Sequence, residues 1–166
     1  MEMLFSSFCL TQSSIFLLQK YEFCLAIGEP KVTWVNGPFL PGIEQDITAF
    51  QGGTVEDGKK KWNRSTLYFK LPKGKRVIAD GGLLGEPSKI LVKSPDRLRE
   101  MTGYIGIVLA HQESFRTHLK NFNILGQRFR HGAGTQDKMD LHKMAVESVA
   151  VIIQYDYENG HPPFDV

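Results

Sequence analysis

Two carboxylates stand where chemistry is possible. Asp80 ends the apolar run KRVIAD (75–80) and is followed at once by Gly81-Gly82. The run reads as a buried strand, which puts the aspartate at the carboxyl edge of a sheet, where open α/β sheets place their sites. The glycines let a backbone or a substrate come close. Glu113 lies in a helical stretch expected over 107–123, whose apolar stripe is Val108, Phe115, Leu119 and Phe122. At about 100° per residue it falls opposite that stripe, beside Thr117 and Lys120 and near Arg116. Carboxylates from a sheet edge and a facing helix can together hold Mg²⁺ or Mn²⁺. Two such ions about 4 Å apart activate water and stabilise a leaving oxygen in phosphodiester cleavage. Each residue also has an ordinary reading: Asp80 as a turn former, and Glu113 as part of a solvated ion-pair face with Arg116 and Lys120.

Residues 54–76 carry Lys59, Lys60, Lys61, Arg64, Lys70, Lys73, Lys75 and Arg76 against only Glu56 and Asp57. Taken alone, the stretch reads as a solvated basic loop. Beside a carboxylate site, it would join Arg116, Lys120, Arg128 and Arg130 in neutralising a phosphate backbone. The charge of the whole chain does not demand this, because 20 Lys+Arg against 18 Asp+Glu leaves only +2. Other chemistries have less support. Cys9 and Cys24 form neither a disulfide framework nor a metal-ligand pattern. His111, His118, His131, His142 and His161 include no pair at helical spacing with a companion Cys or acid, so they read as satisfied or exposed histidines. No Gly-rich phosphate loop, nucleophile elbow or CxxC is present.

The elements that must position these groups follow from patterning. With 166 residues, 42% apolar and 23% charged, the chain has the composition of one globular domain. YEFCLAIG (21–28) and KVTWVNGPF (31–39), separated by Gly28-Glu29-Pro30, predict a hairpin. IEQDITAF (43–50) places Ile43, Ile47 and Phe50 on one side of a short helix that Gly52-Gly53 ends. KILVK (89–93) is a short strand. The stretch 138–158 is apolar over much of its helical circumference, through Leu141, Ala145, Val149, Ile152 and Ile153, which predicts a largely buried helix. Asn159-Gly160 caps it, and Pro162-Pro163 prevents continuation. This order of strands and helices predicts an α/β domain. Residues 1–20 are split by Ser6-Ser7 and by Thr11 to Ser14, too polar for a membrane span. They begin Met1-Glu2 with no basic residue before Lys20, unlike a secretion signal, so a partly buried or frayed segment is expected.

Four blocks in order, VTWVNGPFLPGIEQDITAF, LPKGKRVIADGGLLGEPSKI, HQESFRTHLKNFNIL-x-QRFRH and AVESVAVIIQYDYENGHPPFDV, resemble the DDE superfamily endonucleases. These are the nuclease domains of Harbinger-like transposases, in particular a protist lineage with an ENG-x-P-x-FDV tail. The resemblance covers 21–166 and sets 1–20 apart as an atypical segment. It implies a ribonuclease-H-like fold, a mixed sheet flanked by helices. It also implies two aspartates and a glutamate that bind Mg²⁺ or Mn²⁺ to cut and rejoin DNA, a separate DNA-binding partner protein, and residence in the nucleus. Asp80 matches the family's second aspartate, Glu113 its glutamate, and Asp46 an additional aspartate near the metals or supporting the fold. The first catalytic aspartate belongs on the first strand, before Tyr21, yet residues 1–20 contain no Asp. Leu83 replaces the family's Tyr, His111-Gln112 its basic residue and His, and 54–70 is an insertion. The expectation is a partial domain lacking its first strand, inactive as a nuclease. The alternative is a non-catalytic DNA-binding or assembly protein that keeps the basic surface.

Overall fold

The computed structural model describes residues 5–12, 19–39, 46–56, 59–79, 85–92, 99–126 and 135–161. In chain order they form β1 (Phe5–Gln12), β2 (Gln19–Ala26), β3 (Val32–Phe39), α1 (Asp46–Gln51), β4 (Gly53–Glu56), β5 (Lys59–Trp62) and α2 (Leu67–Lys70). β6 (Val77–Ala79), β7 (Ile90–Val92), α3 (Arg99–Lys120), a 3-10 turn (Asn123–Gly126) and α4 (Thr135–Glu158) follow. The fold is mixed α/β.

One sheet of five strands runs β3-β2-β1-β6-β7. β2 runs antiparallel to both β1 and β3, while β6 runs parallel to both β1 and β7. The alternation in β2 organises the core. Tyr21, Phe23 and Leu25 pack against Phe115 and Leu119 of α3 and Val146, Val149 and Ile153 of α4. On the opposite face, Cys24 joins Phe50, Leu67, Leu71, Val77, Ala79 and Ile90. A third cluster sets Ile78 and Leu91 against Ile105 and Val108 of α3. Helices on one face and short helical turns on the other leave β2 buried along its whole length.

The expected hairpin is β2–β3, closed by the Ala26 N–H bonded to the Lys31 carbonyl at 2.9 Å. The strands expected over 75–80 and 89–93 are β6 and β7. The helix expected over 43–50 is α1, which Gly52 ends. A Cβ at Gly52 would lie 2.6 Å from the Asn63 carbonyl oxygen, and its φ of +67° is in the left-handed region, so glycine is required on both counts. At the end of α4 the His161 N–H reaches back to the Asp156 carbonyl at 3.0 Å across Gly160, whose φ is +91°. This is the glycine stop expected there.

Four expectations are corrected. The sheet does not lack its first strand: Phe5–Gln12 is its central strand, paired with β2 on one side and β6 on the other. A central strand is specified by partners distant in sequence, here some 70 residues on at Val77, which local patterning does not register. The basic stretch is not simply a loop, because β4 and β5 pair as a hairpin and α2 follows. Helix α3 starts at Arg99 rather than near 107. Gly103 and Gly106 weaken the helical signal there, but Ile105, fully buried against the sheet, carries the first turns. Helix α4 is buried on one face only, as its outer face exposes Met144, Val151, Ile152 and Tyr155.

Candidate carboxylate site and basic surface

Buried residues Ile105, Val108, Gln112, Phe115 and Leu119 define the inner face of α3. Phe122, expected on that stripe, packs partly buried just beyond the helix end. Glu113 lies off the inner face, and its side chain is 60% exposed. Its carboxylate accepts from Arg116 Nη1 at 3.5 Å and lies 4.0 Å from Lys120 Nζ. Thr117 Oγ1 donates to the Glu113 carbonyl at 3.0 Å. The sequence thus placed these four residues together correctly, and the structure makes them a solvated ion-pair face.

The residue that reaches the sheet is one position earlier. Gln112 is buried and donates through Nε2 to the Ile78 carbonyl on β6, at 3.3 Å. A buried carbonyl near a strand end needs a partner, and an uncharged amide supplies it without the cost of burying a charge. Sequence reasoning passed over Gln112. Its place on the stripe with Val108, Phe115 and Leu119 is the signal that could have found it.

Asp80 follows β6 in sequence and lies outside the described residues, as do Arg128 and Arg130. Asp46 is the first residue of α1 and Lys59, Lys60 and Lys61 are in β5, but the side chains of these four are not described. The central strand β1 reads FSSFCLTQ and contributes no carboxylate. Among the described residues no group of three or more His, Cys, Asp and Glu is placed to hold a metal ion. The described residues therefore do not fit a two-metal centre: the central strand offers no acidic ligand, and the Glu113 oxygens face two cations.

The basic surface is better defined. Arg64, Lys70 and Lys73 are exposed and Lys75 is half-buried. Lys120 is exposed and Arg116 partly so. Lys89 is committed elsewhere, donating to the Tyr68 carbonyl and lying 4.4 Å from the Tyr68 ring centroid. Trp62, at the end of the Lys59–Lys61 run, pairs with Gly53 across the β4–β5 hairpin. A Cβ on Gly53 would stand 3.3 Å from the indole, so the ring lies over the glycine with 47% of the residue exposed. An exposed indole in a run of lysines is a stacking surface inside a positive field. The sequence reading named the charges and missed the indole, which the spacing Lys59-Lys60-Lys61-Trp62 could have shown.

Of the histidines expected to be satisfied or exposed, His118 and His161 are exposed and His142 is satisfied, while His131 lies outside the described residues. His142 is buried in α4 and satisfied: Nδ1 is 2.8 Å from the Tyr21 hydroxyl and Nε2 is 3.2 Å from the Leu125 carbonyl. Burial holds its pKa below the ordinary value. A neutral ring beside a carbonyl must carry its proton on Nε2, so Nδ1 accepts the Tyr21 proton. A different buried acid, Glu22 on β2, accepts from Trp34 Nε1 at 2.9 Å, and burial pushes its pKa up to about 7.

Among the described residues no helix is long and apolar enough to cross a membrane. No family model, curated protein or solved structure matches the chain.

Proposed function

We propose that the chain is a transposase-derived DDE endonuclease domain of ribonuclease-H-like architecture that does not cut DNA and retains a DNA-binding role in the nucleus. The observation that carries the loss of cutting is the central strand: Phe5–Gln12 holds no aspartate or glutamate where the first metal ligand would stand. Support for the architecture comes from the mixed sheet, with β1 between antiparallel β2 and parallel β6, and with α3, which bears Glu113, against it. Removing one carboxylate from a two-metal centre costs several kcal/mol of transition-state stabilisation, and each ~1.4 kcal/mol is a tenfold loss in rate. Support for DNA binding comes from the basic residues of 59–76 together with exposed Arg64, Lys73 and Trp62. A separate partner protein would supply sequence recognition.

The test is a pair of measurements on the purified chain. Fluorescence anisotropy with labelled DNA over a salt series should give affinity that falls steeply with salt and weakens when Lys59, Lys60, Lys61, Arg64 and Lys73 are replaced by Gln. Supercoiled plasmid with Mg²⁺ or Mn²⁺ should remain uncut. Cutting that Asp80→Asn abolishes would restore the active-nuclease reading, and no salt-sensitive binding would remove the DNA-binding one.

A further inference from the structure

The closed end of the β4–β5 hairpin holds an aromatic ring in a fixed place. Gly53 and Trp62 end its ladder, and the Asn63 N–H donates to the Gly52 carbonyl at 2.8 Å just beyond. The Asn63 side-chain oxygen then accepts from the Ser65 N–H at 3.0 Å and the Ser65 hydroxyl at 2.6 Å. These bonds pin the turn that carries exposed Arg64. The benzo ring of Trp62 lies over Gly53, where a Cβ would stand 3.3 Å from it, and 47% of the residue faces solvent. The nearest charged residues in sequence on either side, Lys61 and Arg64, are both positive. Acids stand further off or are engaged. Glu56 pairs with Lys59 at the other end of the hairpin, three residues or about 10 Å from Trp62. Asp46 is two residues before Thr48, the α1 residue beside Gly53, and so about 200° around that helix. Glu86 accepts from the Gln51 amide at 2.7 Å. Asp57 and Asp80 lie outside the described residues.

We propose that this platform takes an unpaired base, so that the DNA held by the basic hairpin is single-stranded. The base stacks on Trp62, and Arg64 and the lysine run before the indole neutralise the flanking phosphates. The proposal rests on the DNA-binding reading above and narrows it. Lysines and arginines alone do not choose between duplex and single strand, because both present phosphates. The indole does choose. In a duplex each base is stacked on both faces, so a ring beside the helix reaches a base only at an end or by unstacking a step. In a single strand the faces are accessible, and a rigid aromatic ring in a positive groove gains from any base. The ring is held by backbone on both strands of the hairpin, so little order is lost when a base settles on it.

The test compares a labelled strand of about 12 nucleotides with its duplex, by anisotropy on the full chain at ~0.15 M salt. The strand should bind at least ~5-fold tighter than the duplex. Trp62→Ala should weaken strand binding by about 5- to 100-fold and duplex binding by less than ~2-fold, and Trp62→Phe should recover most of the loss. Arg64→Gln should reduce the slope of log affinity against log salt by ~0.7 on the strand. Tryptophan emission gives a second reading. Trp34, the other tryptophan, is half-buried and bonded to Glu22, so quenching by the strand should vanish in Trp62→Phe. A duplex bound as tightly as the strand, a Trp62→Ala variant that spares the strand or weakens both forms alike, or an unquenched indole would each overturn the proposal and leave DNA binding standing. A ribonucleotide strand bound ~10-fold tighter would assign the site to RNA and overturn it as well. No salt-sensitive binding to any of these would overturn both readings.

Discussion

The two faces of β2 are both buried and chemically opposite. Toward α3 and α4, Tyr21, Phe23 and Leu25 sit in an apolar cluster, and the Tyr21 hydroxyl at its edge meets Gln19 and the neutral His142. Away from them, Lys20 and Glu22 are as buried as Cys24, and Glu22 is held by the Trp34 indole and the Asn36 amide. The difference shows in how each face responds to pH. On the helix side, burial depresses the pKa of His142. The unfolded chain therefore binds a proton that the folded chain refuses, and stability is lost as pH falls below the ordinary histidine value of 6.5. On the other side, the pKa of Glu22 is raised from 4.5 to about 7. The unfolded chain gives up a proton that the folded chain keeps, so stability is lost as pH rises across that window. Between pH 4.5 and 6.5 the two faces therefore tilt the stability curve in opposite directions and partly offset each other.

The largest effect should come from the apolar face. Phe115 is fully buried, edge-on to Phe23 at 5.3 Å between centroids and to Tyr157 at 6.4 Å. Phe115→Ala removes the ring that joins β2 to α4 and should cost about 3–5 kcal/mol in urea unfolding. A loss under about 1 kcal/mol would mean that this face is loosely packed and that the contrast between faces is overstated. The polar face should behave in the opposite sense. Glu22→Gln keeps the acceptor for Trp34 while removing the charge, so it should stabilise the fold by about 2–3 kcal/mol above pH 7 and by almost nothing near pH 4. Equal effects at both pH values would show that Glu22 is not the group behind the falling slope.

Tyr21→Phe comes next in size. The Tyr21 hydroxyl has one proton and two acceptors within reach, Gln19 Oε1 at 3.1 Å and His142 Nδ1 at 2.8 Å. With His142 neutral and its own proton directed at Leu125, the tyrosine proton goes to Nδ1. Turning the Gln19 amide would then let its Nε2, buried with no partner, donate to the tyrosine oxygen. Removing the hydroxyl takes away the hydrogen bond to Nδ1 and should cost about 1–2 kcal/mol at neutral pH. The cost should not shrink in acid, where a protonated ring needs the Tyr21 oxygen to accept from Nδ1–H. Denaturant titrations at two pH values check both the size and the trend.

Legibility in the sequence followed the range of the forces involved. The β2–β3 hairpin was readable because its turn and its aromatic and β-branched strands are local. The polar side of α3 was readable because 3.6-residue periodicity alone sets Glu113 beside Arg116 and Lys120. β1 was not, since Ser6, Ser7, Thr11 and Gln12 break its apolar pattern and its pairing with β6 joins distant parts of the chain. Nor was the buried chemistry of Glu22 or Gln112, because burial of a polar residue depends on what the other elements bring to it. The outer face of α4 misled for a related reason: apolar residues all round a helix do not say which of its faces the sheet will cover.

The smallest effect belongs to Glu113, which stands on neither face of the sheet. Two cations flank it in solvent, at 3.5 and 4.0 Å. Exposed pairs of this kind gain little in water, so Glu113→Gln should change unfolding stability by no more than about 0.5 kcal/mol. Its effect on DNA should run the other way from a catalytic loss. Taking a negative charge from between Arg116 and Lys120 strengthens the local positive field, so affinity should rise roughly two- to three-fold in dilute salt and converge with wild type as salt screens it. Anisotropy at low and high salt measures this directly. A fall in affinity, or a stability loss above about 2 kcal/mol, would place the carboxylate among buried or bound groups and not on the solvated side of α3.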